Sequence, residues 1–270
     1  MKILFIGDVA WENGRDALEK NLPILRKKLK PDCVIVNGEN SAHGIGITPK
    51  ITEWMIDDLG VDCVTGGDHS FDKREIIPYM ADQPKLIRPA NFPDMAGNGL
   101  YSFRAHNGKF ITVVNLIGRV FMASMVDCPF KKLDSILANI KLKTNSDAII
   151  VDFHAEATSE KYCMGHYADG RVSAVLGTHT HIPTADHQIL PNGTAYQTDV
   201  GMTGCFGGSI GVDFKAPMQG FLKGRMIDKM EMAQGEATVC GALIETDDNT
   251  GLATAITPIR VGGKQLSQSS

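Results

Sequence analysis

Apolar and polar positions alternate along this chain with two periods. Residues 2–6, Lys-Ile-Leu-Phe-Ile, form a short apolar run stopped by Gly7-Asp8, which predicts a buried strand. Residues 15–29 place Leu18, Leu22, Leu25 and Leu29 at helical spacing. Pro23 inside that stretch predicts a kink or the start of a second helical piece. Residues 33–36 read as a second strand, closed by Asn37-Gly38-Glu39-Asn40. Over 50–59 the helical period returns through Ile51, Met55, Ile56 and Leu59, and 63–65 is a third strand running into Gly66-Gly67-Asp68-His69. Strand–helix–strand–helix–strand predicts adjacent parallel strands with right-handed crossovers. Further strands are expected at 110–116, 148–153, 174–176, 195–198, 238–244 and 253–261, with a helix at 130–142. The segment 202–235 is rich in Gly and Met and weakly periodic, which predicts a loop-and-helix excursion or a small cap. The polar stretch 265–270 reads as a frayed tail.

Composition narrows the class. Hydrophobic residues at 43% and charged residues at 21% are ordinary globular usage, so a disordered chain or a coiled coil is excluded. A net charge of -4 gives no basic excess, which argues against duplex nucleic acid as the main partner. No run approaches the roughly 18 apolar residues of a membrane span, and the first apolar run is too short for a signal peptide. A cytoplasmic protein is the expectation. The six cysteines are dispersed without a CxxC pair, as expected of reduced, mostly buried thiols and not of a zinc knuckle.

Candidate chemistry collects just after the strands. Asp8 follows the first, Glu39 and Asn40 the second, Asp68 and His69 the third, His154 the strand at 148–153, and His179 and His181 the strand at 174–176. Carboxyl ends of parallel strands share one edge, where ligands bind. Mixed imidazole and carboxylate donors suit Mn, Fe, Zn or Ni, and paired cations can clamp both oxygens of a phosphoryl displacement. Taken singly, each residue has a plainer role. Asp8 serves equally as a helix cap, Asn40 and Asp68 as turn residues, and His154 as a hydrogen-bonded core histidine. The joint placement carries the inference. His43, His106, His166 and His187 lack that placement and read as surface or structural residues. Gly44-Ile45-Gly46 lacks the Lys-Ser/Thr of a P-loop and reads as a rim near the site, and no GxSxG elbow is present.

The runs Gly7-Asp8-Val9, Asn37-Gly38-Glu39-Asn40-Ser41-Ala42, Arg88-Pro89-Ala90-Asn91, 152–161 (DFHAEATSEK), Gly177-Thr178-His179-Thr180-His181 and 198–204 (TDVGMTG) together resemble the calcineurin-like metallophosphoesterases. Within these they are most similar to the YmdB-like branch, which acts on 2′,3′-cyclic nucleotides. The resemblance spans nearly the whole chain. It implies an α/β fold of α/β/β/α layering, a two-sheet β core flanked by helices, with residues 1–270 as a single domain and a cap-like excursion near 202–235. It implies two divalent or mixed-valence metal ions, iron or manganese before zinc. Asp8, Asn40 and His181 would serve one, Asp68, His154 and His179 the other, and Glu39 would lie between them. It further implies a bridging hydroxide as nucleophile on a small phosphoester and His69 as the general acid, with an orienting role for His69 as the alternative. One departure stands out. The family's Gly-Asn-His-x-Trp-Asp run appears as Gly67-Asp68-His69-Ser70-Phe71-Asp72, so a carboxylate replaces an amide and the site carries one more negative charge. A shifted metal preference and altered turnover are expected.

Two other functions remain at this stage: a phosphomonoesterase of broad specificity, and a regulatory protein with a weakened metal site. The Met-rich stretch with Met218, Met226, Met230 and Met232 reads as a homo-oligomer interface, a cap, or core packing.

Overall fold

In a computed structural model, residues 1–225 and 228–263 are described. Met226 and the tail 265–270 therefore lie outside the described residues. The strands are β1 (Lys2–Ile6), β2 (Cys33–Asn37), β3 (Cys63–Thr65), β4 (Leu100–Arg104), β5 (Phe110–Ile117), β6 (Ala148–His154), β7 (Ala174–Thr178), β8 (Gln188–Ile189), β9 (Ala195–Gln197), β10 (Val239–Thr246) and β11 (Ala253–Val261). The helices are α1 (Trp11–Leu29), α2 (Pro49–Glu53), α3 (Ile76–Asp82), α4 (Pro129–Leu137), α5 (Thr158–Ala168) and α6 (Lys215–Lys223).

Two mixed sheets result, ordered β11-β10-β1-β2-β3 and β4-β5-β6-β7-β9-β8. The predicted parallel pairing of the opening third is present: β1 pairs β2, and β2 pairs β3, both parallel. In the second sheet β5, β6, β7 and β9 run parallel, while the edge strands β4 and β8 are antiparallel. The period of two along each strand decides the layering. Ile3 and Phe5 of β1 face Ile111, Val113, Ile150 and Leu176 of the other sheet. Leu4 and Ile6 face outward to Leu18 and Leu22 of α1. Val151 and Phe153 of β6 pack on Leu133 of α4 and Met164 of α5. The architecture is the expected α/β/β/α, with one apolar layer between the sheets and one under each helical face.

Several local expectations are corrected. Helix α1 runs unbroken through Pro23, which is exposed, so the Glu19 carbonyl that loses its partner can turn to water. The helix expected over 50–59 is a five-residue α-helix continued by a π-helical turn at Trp54–Asp58. The helix expected over 130–142 ends at Leu137. Helices α3 and α5 and the short edge strands β4 and β8 were not foreseen; α5 buries Lys161 and Gly165 and so shows no apolar stripe. The described residues of 202–235 form loop around α6. Met218 and Met230 are about half exposed, which removes core packing as their role.

Candidate metal centre

Every candidate residue lies at the end of a parallel strand or within four residues after it. Two sheets, not one, deliver the cluster: β1, β2 and β3 from the first, β6 and β7 from the second. Glu39, Asp68, His154 and His179 each present a donor atom, and all four atoms lie within 4.8 Å of one another.

The imidazoles define what this cluster can hold. His154 is fully buried, and its Nδ1 lies 2.9 Å from Thr178 Oγ1. That hydroxyl donates to Asp152 Oδ1 at 2.7 Å, so Nδ1 must be the donor to Thr178. Asp152 also accepts from Asn37 Nδ2 and Thr65 Oγ1. Burial pushes Asp152 up to about 7, against the pull of His154 and these donors. His154 Nε2, the free nitrogen, faces Asp68 Oδ1 at 2.9 Å, His179 Nδ1 at 3.0 Å and Glu39 Oε1 at 3.1 Å. His179 Nε2 is tied to the Glu156 carboxylate at 3.2 Å, which leaves its Nδ1 turned inward. His181 Nδ1 donates to the Ile210 carbonyl at 2.9 Å, and its Nε2 faces Asn40 Oδ1 at 3.3 Å. Asn40 Nδ2 donates to the Gly44 carbonyl, so its oxygen is the inward atom.

Three imidazoles are thus each tethered through one nitrogen, with the other aimed at lone pairs. Lone pairs do not attract one another, so this arrangement calls for a shared positive charge. Burial disfavours charge on His154, yet Glu39, Asp68 and Asp8 outweigh it and raise the pKa of His154 well above the usual histidine range. Burial opposes ionisation of Glu39 and Asp68 as well, but His154 and its neighbours hold both below the usual carboxylate range. Asp8 is wholly buried and burial pushes its carboxyl up; its Oδ1 has no hydrogen-bond partner among the described residues. An orphaned buried carboxylate oxygen beside converging N and O donors fits a divalent cation.

The HxH loop separates its two imidazoles. His179 and His181 both have left-handed φ, 96° and 68°, which non-glycine residues seldom adopt. Thr180 between them is held by Asp199 Oδ2, which accepts its N–H at 3.0 Å and its hydroxyl at 2.7 Å. Asp199 is neutralised by buried Lys161, Nζ to Oδ2 2.9 Å. The loop sends His179 to His154 and Asp68, and His181 to Asn40.

His69 sits at the cleft side of this cluster. Its Nδ1 is 2.7 Å from Asp72 Oδ2 and its Nε2 is 3.7 Å from Asp68 Oδ2. Burial lowers its pKa, but Glu39, Asp68 and Asp72 raise it on balance above the usual histidine range. Asp72, Glu156, Thr178, Asp152, Asp199 and Lys161 are given no role by the sequence reading, although each lies within one of the runs that carry the family resemblance, and His69 and Asp72 also have His-x-x-Asp spacing within a turn. His43, His106, His166 and His187 are exposed and stay outside the cluster, while Gly44 and Ile45 do line the adjoining cleft.

Fold and cluster together define a metal-binding hydrolase of the metallophosphoesterase type. A family model described as "YmdB-like protein" matches residues 4–259. The 2′,3′-cyclic-nucleotide 2′-phosphodiesterase of Bacillus subtilis (strain 168) is 47% identical over 267 residues, covering 98% of this chain and 99% of that protein. A crystal structure of a hypothetical protein from Thermus thermophilus superposes with a TM-score of 0.89 at 39% identity, over 98% of this chain and 100% of that one. A novel phosphatase from Mycoplasma pneumoniae gives a TM-score of 0.88 at 35% identity, over 97% and 93%. The chain belongs to the YmdB-like protein family.

Proposed function

We propose that this protein is a metal-dependent phosphodiesterase that opens small 2′,3′-cyclic nucleotides. The observation that carries the reading is the set of three tethered imidazoles turned onto carboxylate and amide oxygens. The relative named 2′,3′-cyclic-nucleotide 2′-phosphodiesterase, nearly half identical along the full length, supports the substrate class. Residues 1–270 act as one metallophosphoesterase domain, with 202–235 at the rim of the site.

Asp68, His154 and His179 would hold one divalent or mixed-valence ion, Asp8, Asn40 and His181 a second, and Glu39 would lie between. Iron or manganese suits this N/O set best, with zinc also accommodated. Such ions supply an acidified water and positive charge next to the phosphate. Water oxygen adds to phosphorus, the P–O2′ bond breaks, and the departing ribose oxygen needs a proton. His69 supplies it from Nε2, because Asp72 holds the ring by Nδ1 and the surrounding carboxylates favour the protonated form. Glu39 Oε2 accepts the His69 main-chain N–H at 3.3 Å, which fixes the acid relative to the metal edge. Thr178, Glu156 and the Ile210 carbonyl hold the three imidazoles in the tautomers that metal binding requires. The six free cysteines, four of them buried, support a reducing, cytoplasmic setting. Among the described residues no helix is long and apolar enough to cross a membrane.

The test pairs elemental analysis of protein purified without added metal with a screen of 2′,3′-cyclic, 3′,5′-cyclic and monoester substrates. His69→Ala is expected to lower kcat on 2′,3′-cyclic nucleotides by about 10²–10⁴-fold with metal content intact. A fully active His69→Ala protein overturns the proton-donor assignment. Protein that takes up no metal when metal is supplied, and then hydrolyses none of these phosphoesters, overturns the reading as a whole.

A further inference from the structure

The cleft beside the cluster is lined by two unlike sets of side chains. Its volume is about 700 Å³, and His69, His179 and His181 line the charged side. Trp11, Ile45, Ile210, Phe221 and Met230 also line it, an apolar wall with two rings. Phe221 is 83% exposed, and with Pro217 and Gly220 it forms the cleft-facing side of α6 at i, i+3, i+4 spacing.

Two residues on this wall hold costly backbone geometry. Trp11 has φ 66° and Ile210 has φ 46°, outliers for a bulky and a β-branched side chain. Both are fixed from the metal edge. The Trp11 N–H donates to the Asn40 carbonyl at 3.0 Å, and the Ile210 carbonyl accepts from His181 Nδ1. The indole also lies flat against Gly44, where even a Cβ would come within 2.3 Å of the ring. Strain of this kind persists where the surroundings over-determine it, commonly at ligand clamps.

We propose that this wall is a nucleobase subsite, in which the base of a cyclic nucleotide stacks between Trp11 and Phe221 while its phosphate lies at the metal edge. The proposal rests on the phosphodiesterase reading above. A cyclic phosphate at the metal edge leaves its base one sugar away, in the same cleft. Ring faces and hydrocarbon recognise any base by its π surface rather than its edge. The site therefore demands a base and discriminates weakly among bases, with purines ahead of pyrimidines. Helix α6 is the outer face of the clamp, which gives the 202–235 excursion its function.

The experiment compares adenosine 2′,3′-cyclic phosphate with methyl riboside 2′,3′-cyclic phosphate, which has no base. The metal-loaded wild-type protein is expected to favour the first by about 10–100-fold in kcat/KM, the range that loss of one base–aromatic stack produces. Phe221→Ala is expected to shrink that ratio about tenfold, through KM. Because Phe221 is exposed, the variant keeps its fold. Equal kcat/KM for the two esters, or a ratio unmoved by Phe221→Ala, overturns the subsite. If neither ester is hydrolysed, the reaction assignment fails, and a binding measurement still decides on the subsite. Trp11 and Trp54 are the two tryptophans, so Trp54→Phe leaves Trp11 as sole reporter. Adenosine 3′-phosphate should quench its fluorescence and inorganic phosphate should not; no quenching by the nucleotide sinks the idea. A self-association that Phe221→Ala abolishes, with the substrate ratio unchanged, would instead show the wall covered by a second copy.

Discussion

His154 and His181 are both tied through Nδ1, yet they stand in different surroundings. His154 is fully buried, its tether is a hydroxyl anchored on buried Asp152, and its free nitrogen faces two carboxylate oxygens. His181 is half-buried, its tether is a main-chain carbonyl on the loop leading to α6, and its free nitrogen faces a neutral amide. At His154 Nε2 a cation would meet the Asp68 and Glu39 carboxylates in a low-dielectric interior; at His181 Nε2 it would meet the Asn40 amide oxygen, with buried Asp8 as the carboxylate assigned to that ion. One residue type thus yields a dense, rigid pole where four donor atoms converge and a more open pole coupled to the excursion. The lesson is that tethers and neighbours, not the imidazole itself, set how firmly an ion is held.

Three substitutions can break or sharpen this contrast. The largest effect is expected from Lys161→Met, which leaves Asp199 buried and unpaired. Stability should fall by about 3–5 kcal/mol in urea unfolding, because removing one partner of a buried pair strands the other charge. Since Asp199 holds Thr180 between the two histidines, both poles should loosen together; an unmoved unfolding midpoint would show that the pair does not anchor the loop. Next is Thr178→Val, which removes the His154 tether and its link to Asp152 and leaves the His181 tether in place. Metal affinity at that pole should drop about 10–100-fold in competition with a chromophoric chelator. Equal losses at both poles would erase the distinction drawn here. The smallest is Asp68→Asn, which removes one charge from the dense pole. At 22% side-chain exposure solvent screens that carboxylate, so affinity should weaken by up to about tenfold while turnover rises. No change in either quantity would mean that the carboxylate at 68 has no bearing on the contrast.

The chain announced the metal edge because strand ends are easy to read. Short apolar runs stop abruptly at Asp8, at Glu39 and at Asp68, and parallel order then forces those stops onto one edge. The two-sheet layering was legible through the family resemblance rather than through periodicity, since buried parallel strands are apolar on both faces. What stayed hidden depends on distance in space. Thr178 and Asp152 are ordinary strand residues until β6 and β7 align to put Asp152 beside Leu176 and His154 beside Thr178. Lys161 reads as a surface charge until α5 turns it onto Asp199. The apolar wall was illegible for a similar reason: Trp11 is far in sequence from Ile210 and Phe221, and two of the three owe their direction to backbone geometry that composition does not encode.

Gly67 sits under the dense pole. A methyl group there would come within 2.1 Å of Glu39 Oε2 and 2.4 Å of His154 Nε2. The floor of the cluster is therefore bare main chain, set so close that one carbon atom would occupy the space needed by two donors. Any side chain at this position would push the Glu39 carboxylate and the His154 ring out of place, even though the glycine contributes no functional group to the centre.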